Sequence, residues 1–150
     1  MEFLAARIHI PAPHAKVLAA ITTTEGMRGW WALDCKLGER AGQEAVFHFD
    51  EREVVFRIDR IDQQGIELTC IRNVGQPDWQ DTHLSLRAIT NDGGTQVDLL
   101  HDGWRQKNDF YESCKKGWDF YLKSLRAFVA KDGGIPHGSD RHPARTNRTR

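Results

Sequence analysis

The sequence predicts an α+β domain in which a curved antiparallel sheet of about six strands wraps around one long C-terminal helix, with two short helices after the first strand. Three observations carry this. Phe110, Cys114, Trp118, Tyr121, Leu125 and Phe128 recur at steps of three and four, the spacing of a single apolar stripe on a long helix. Five segments between residues 44 and 102 alternate apolar and polar residues, the period of half-buried strands. The connections between them are short and turn-rich, which favours antiparallel pairing with one wet face. A stripe this long and aromatic needs a broad partner surface, and a hollowed sheet supplies one.

Taken in order, Phe3 to Ile10 places Leu4, Ala6, Ile8 and Ile10 on one strand face and Arg7 and His9 on the other. Pro11-Ala12-Pro13 stops that strand, and Pro13 suits the first turn of a helix through about Thr22, where a missing N–H costs nothing. Thr23 or Thr24 caps a second short helix that ends near Trp30-Trp31. Strands follow at Glu44–Asp50, Glu53–Ile61, Ile66–Asn73, Thr82–Ile89 and Thr95–Asp102. Gln63-Gln64-Gly65 and Asn91-Asp92-Gly93-Gly94 make turns, and Gly75-Gln76-Pro77-Asp78 a loop. The long helix begins near Asn108 or Asp109, with Asp109 and Glu112 at capping-box spacing, and ends before Gly133-Gly134.

A chain of 150 residues, 39% hydrophobic, suits one domain with one substantial core. Its formal net charge of zero argues against a nucleic-acid binder or a membrane-surface protein. From Gly133 onward four arginines (Arg141, Arg145, Arg148, Arg150) face one aspartate, Asp140, and apolar residues are almost absent. Such a segment cannot offset its own ordering entropy, so 133–150 is expected to be a disordered basic tail behind a folded domain of residues 1–132. Three cysteines without close spacing fit reduced thiols in a cytoplasm. No stretch has the length or apolarity for membrane insertion.

Four local patterns in this order resemble the helix-grip superfamily of START domains and the birch-pollen Bet v 1 allergen, often labelled SRPBCC. They are Ile8-His9-Ile10-Pro11-Ala12-Pro13, Thr22-Thr23-Thr24-Glu25-Gly26-Met27-Arg28-Gly29-Trp30-Trp31, Leu99-Leu100-His101-Asp102-Gly103-Trp104, and Gly117-Trp118 followed by Leu122 and Leu125. Within that superfamily the chain looks like the bacterial branch named after the activator of the ninety-kilodalton heat-shock chaperone's ATPase. The resemblance covers about residues 3–132. It implies a fold whose members range from lipid carriers to aromatase/cyclases to chaperone activators, so activity has to come from the site.

The candidate walls of a cavity between sheet and helix are Trp30, Trp31, Phe47, Phe49, Phe56, Leu84, His101, Cys114, Trp118 and Tyr121. Adjacent Trp30 and Trp31 cannot face the same way, so either one packs into the core and the other rims the cavity mouth, or both are structural. His101, on the Val97/Leu99 face, is either a satisfied core histidine or the candidate acid or base. Asp102 points to the opposite sheet face and cannot orient it, which counts against a triad. Gly117, inside the helix, costs roughly 1 kcal/mol against alanine and either lets the sheet approach or leaves room for a ligand. The histidines lack the HxH or HxxxH spacing of a metal site, so neither metal nor cofactor is expected.

An apolar void of ~300 Å³ would forgo on the order of 7 kcal/mol, so the groove is filled by side chains, water or ligand. Three functions compete. The first is binding of a small hydrophobic or aromatic molecule. The second is a cyclase/dehydratase-type or hydrolytic enzyme using the same cavity, with His101 as its acid or base. The third is an interaction protein with a protein partner. The chain is expected to be a monomer or a homodimer.

Overall fold

The structure, a computed structural model, describes residues 2–73, 76–131 and 133–143. Its elements are β1 (Glu2–Ile10), α1 (His14–Thr22), α2 (Thr24–Trp30), β2 (Cys35–Leu37), β3 (Glu44–Phe49), β4 (Arg52–Asp62), β5 (Gly65–Asn73), β6 (His83–Asn91), β7 (Gly94–Trp104) and α3 (Asp109–Lys131), with a 3-10 turn at Pro77–Trp79 between β5 and β6. All strands join one antiparallel sheet in the order β1-β7-β6-β5-β4-β3-β2. The sheet has seven strands where the sequence predicts about six. The extra one, β2, spans only Cys35–Leu37, too short to show an alternation of its own.

Local chemistry sets the boundaries. Thr23 caps α2 by accepting the Gly26 N–H at 2.9 Å. Asp92 and Gly93 both take positive φ (46° and 75°), the two left-handed positions of a type I′ turn, so β6 and β7 form a tight hairpin. Asn108, rather than an Asp109–Glu112 capping box, opens α3: its Oδ1 accepts the Tyr111 N–H at 3.0 Å. Its Nδ2 donates to Asp78 Oδ2 at 2.7 Å, which ties the β5–β6 loop to the helix.

The core lies between the concave sheet face and α3, closed at one end by α1 and α2. Buried residues of α3 are Tyr111, Trp118, Leu122, Ser124, Leu125 and Val129, whereas Phe110, Cys114, Tyr121 and Phe128 are half-buried. The predicted stripe is therefore split: one flank fills the core and the other borders open space.

Residues 133–143, where the sequence predicts disorder, lie along the body of the domain, while 144–150 lie outside the described residues. The Gly133 N–H closes α3 on the Ala127 carbonyl at 2.9 Å. Gly134 then passes so close to α2 that a Cβ there would meet the Gly29 carbonyl oxygen at 2.0 Å. The Ile135 N–H donates to Ser124 Oγ (2.7 Å), and Ala32 and His137 form a parallel bridge. Composition missed this strap because its ordering comes from backbone bonds to the body rather than from apolar burial.

Candidate functional site

A cavity of about 190 Å³ lies between the N-terminal half of α3 and the β3–β5 side of the sheet. Trp31, Trp79, Trp118 and Phe49 give it aromatic walls. Helix α3 faces it with Phe110, Ser113, Cys114, Gly117 and Tyr121, the sheet adds Arg52 and Asn73, and the strap adds His137. Trp79 and Trp118 lie nearly parallel, 10° apart with centroids at 6.2 Å, and Trp31 meets Trp118 at 5.2 Å. A Cβ built on Gly117 meets nothing within 4 Å, so this glycine leaves room rather than admitting the sheet.

Of the ten candidates, Trp31, Phe49, Cys114, Trp118 and Tyr121 line this space, and Trp30, Phe47, Phe56, Leu84 and His101 do not. Both tryptophan rings are buried, and only Trp31 borders the cavity. Trp30 Nε1–H donates to the Ala20 carbonyl at 2.8 Å, and its ring stacks behind Trp31 at 5.9 Å. Phe47 backs Trp31 at 4.3 Å, and Phe56 packs edge-on to Phe47. Leu84 is closed in the core.

His101 is fully buried behind Trp79 and Trp118. Trp118 Nε1–H donates to its Nδ1 at 3.1 Å. The Thr82 hydroxyl gives its hydrogen to the Trp79 carbonyl at 2.6 Å, so it accepts from His101 Nε2–H at 2.9 Å. Both ring nitrogens are thus assigned, and the ring is neutral. A second proton on Nδ1 would point at the indole N–H. Burial, with a smaller push from His83, brings its pKa down to about 3. This is a core histidine that fixes two cavity tryptophans, not an acid or base within reach of a ligand.

Five wall residues escaped the sequence reading: Asn73, Arg52, Trp79, His137 and, on α3, Ser113. Strict alternation places Asn73 on the outer face with Thr69 and Ile71. However, β5 carries an extra residue between the pairs Val55↔Arg72 and Phe56↔Cys70. That bulge turns Asn73 inward while Arg72 points out to Glu53. Arg52 starts β4 on the same face as Val54 and Phe56, a parity the Glu53–Ile61 boundary stopped short of. Trp79 comes from the 3-10 turn, where no periodicity exists, and its Nε1–H meets Cys114 Sγ at 3.3 Å. His137 comes from the strap and donates through Nε2 to Asp50 Oδ1 at 3.2 Å.

Burial raises the Cys114 thiol to about 11 and also pushes the Tyr121 phenol up, so both are neutral near pH 7. Arg52 thus supplies the one permanent charge on the cavity wall among the described residues. Two polar atoms of that wall, Arg52 Nε and Asn73 Oδ1, are buried without a hydrogen-bond partner among the described residues.

A long helix gripped by a seven-stranded antiparallel sheet, with a tryptophan-walled space between them, defines the helix-grip class, the SRPBCC/Bet v 1-like superfamily. The family model for "Activator of Hsp90 ATPase homolog 1-like protein" matches residues 11–130, and the chain belongs to that family. Among solved structures, it is similar to the Aha1 dimer from Colwellia psychrerythraea, with TM-score 0.81, 25% identity, and coverage of 89% of this chain and 100% of the other. It shares its fold with CalU16 from Micromonospora echinospora (TM-score 0.67, 21% identity, 87% and 77% covered). The same holds for Ara h 8.0201 (TM-score 0.65, 15% identity, 85% and 97% covered). No curated protein matches the chain. Family and fold fit a ligand-binding START-like protein. No helix among the described residues is long and apolar enough to cross a membrane.

Proposed function

We propose that this chain is a binding module that takes one small, largely apolar aromatic molecule into the cavity between α3 and the sheet. The observation that carries the reading is the open space at Gly117 beneath the tryptophan walls. A mid-helix glycine costs about 1 kcal/mol. That cost opposes folding, and ligand bound only to the folded chain offsets it.

The test is native mass spectrometry of protein purified without added ligand, followed by a thermal-shift screen with fatty acids, sterols, aromatic polyketides and one- or two-ring aromatics. Small aromatics are expected to raise the melting temperature and whole sterols to leave it unchanged, because the space is near the ~150 Å³ that holds benzene. A screen with no stabilising compound, together with no retained mass, overturns the reading.

A second reading, an enzyme working in the same cavity, is favoured by one observation. His137 lines the cavity and is held by a carboxylate, Asp50, the arrangement of an oriented base. His137→Ala abolishing turnover of an identified substrate, with binding intact, would establish it. The dimer solved for the Colwellia psychrerythraea relative supports a homodimer here, to be decided by sedimentation velocity. Three free thiols (Cys35, Cys70, Cys114) support a reducing cytoplasmic location.

A further inference from the structure

We infer that the cavity selects an aromatic acid: a one- or two-ring molecule whose carboxylate pairs with Arg52 and whose ring hydroxyl or amine donates to Asn73. This rests on the reading of the cavity as a ligand site and adds to it the ligand's charge and orientation.

The placement follows from strand register. Phe49 and Arg52 face each other where the β3–β4 hairpin begins, and Asn73 pairs with Val54, two residues further along β4. The bulge in β5 brings Asn73 onto the concave face, so guanidinium and amide stand on neighbouring strand ends at one end of the cavity. The Arg52 guanidinium carbon lies 5.8 Å from the Phe49 ring centroid, which directs its planar fork along an aromatic wall.

Neither group is satisfied among the described residues. Asn73 is only 3% exposed, yet its Oδ1 has no partner, and Arg52 Nε is buried without one. The neighbouring acids are engaged elsewhere: Glu53 binds Arg72 and His48 on the outer face, and Asp50 binds His137. Among the described residues no carboxylate forms an ion pair with Arg52. A buried acceptor without a donor and a cation without a counter-charge are both destabilising in an empty site. One bound molecule carrying a carboxylate and a neighbouring donor removes both penalties.

The rest of the wall sets the ligand's body. Tyr121 and Cys114 are neutral groups on which the positive charge of Arg52 acts, with Asp50 opposing it at Tyr121. Trp31, Trp79 and Trp118 line the space with aromatic surface against which a flat ring can pack. A fatty acid shares the carboxylate but not the shape that these faces fit.

Isothermal titration calorimetry of the full chain at pH 7.5 compares 3-hydroxybenzoate, benzoate and 2-naphthoate with 3-hydroxybenzamide, benzamide and 2-naphthamide, their neutral analogues. Each acid is expected to bind at least about tenfold more tightly than its amide, the size of one charge-assisted hydrogen bond. Arg52→Gln should abolish that preference, and Arg52→Lys should retain part of it. 3-Hydroxybenzoate, whose hydroxyl is not bonded to its own carboxylate, should exceed benzoate, and Asn73→Leu should remove that excess. Equal binding of acids and amides to the unmodified protein overturns the acid proposal and leaves the cavity reading intact. No binding by either class overturns both. The acid-to-amide ratio is read on the unmodified chain, so it holds even if a variant folds poorly, and melting curves of the free variants report that directly.

Discussion

The two halves of α3 meet the same sheet with opposite results. Toward the C terminus, Leu125 and Val129 close against α1 and α2, and the space is filled by Val17, Ile21, Met27 and Trp30. Ser124 Oγ–H even donates to the Trp30 carbonyl at 2.9 Å to hold the contact. Toward the N terminus, Cys114 touches Trp79, but beside Gly117 the space before the tryptophan walls is unfilled. Two glycines show the contrast. A Cβ on Gly26 would strike the Ala19 carbonyl oxygen at 2.4 Å, whereas one on Gly117 meets nothing within 4 Å. One glycine serves packing and the other keeps space open, so a helix-grip fold by itself specifies neither a cavity nor its absence. Side-chain size along one helix decides it.

The contrast breaks most severely at Trp30. Trp30→Ala empties the filled end and removes the Ala20 bond, and is expected to cost about 3–5 kcal/mol in urea denaturation. The open end should be far less sensitive to truncation. Acid comes next. His101 takes a proton only near pH 3 when folded, but near its ordinary 6.5 when unfolded. As pH falls below 6.5 the unfolded state therefore binds the proton first, and the stability fully present above 6.5 is lost progressively toward pH 3. The loss is at most about 1.4 kcal/mol per pH unit. Denaturation between pH 7.5 and 4 should show a steeper decline for the unmodified protein than for His101→Gln, which cannot titrate.

At Gly26, alanine should destabilise by about 1–3 kcal/mol through overpacking of α1 against α2, seen as a lower urea midpoint. At the open end the signs reverse. Asn73→Leu replaces an unsatisfied buried acceptor with an apolar group that has room, and should raise stability by about 1–3 kcal/mol while weakening ligand binding. Gly117→Ala gains about 1 kcal/mol of helix propensity without a clash, and should narrow the cavity enough to slow or weaken uptake of two-ring aromatics. A loss of stability at either of these two positions would mean that the space is already occupied by packing.

The sheet, the three helices and half of the cavity wall were legible in the sequence because they rest on periodicity. Phe49 follows from the alternation of Ala45, Phe47 and Phe49, and Trp118 and Tyr121 from helical spacing. What escaped has no period. Asn73 depends on one inserted residue that reverses strand parity, Trp79 on a loop folded inward, and His137 on backbone bonds between distant segments. His101 was correctly placed facing the helix, but its meaning came from Thr82 and Trp118, residues whose proximity only the fold creates.

The strap at 133–143 follows the last residue of the family match, residue 130, yet lays His137 against Phe49 and His142 over Tyr121. If the cavity takes a ligand as proposed, part of its mouth is built by a segment that follows the family match. Substitutions there would then change which molecules enter, and how fast they leave, without disturbing a single strand pairing.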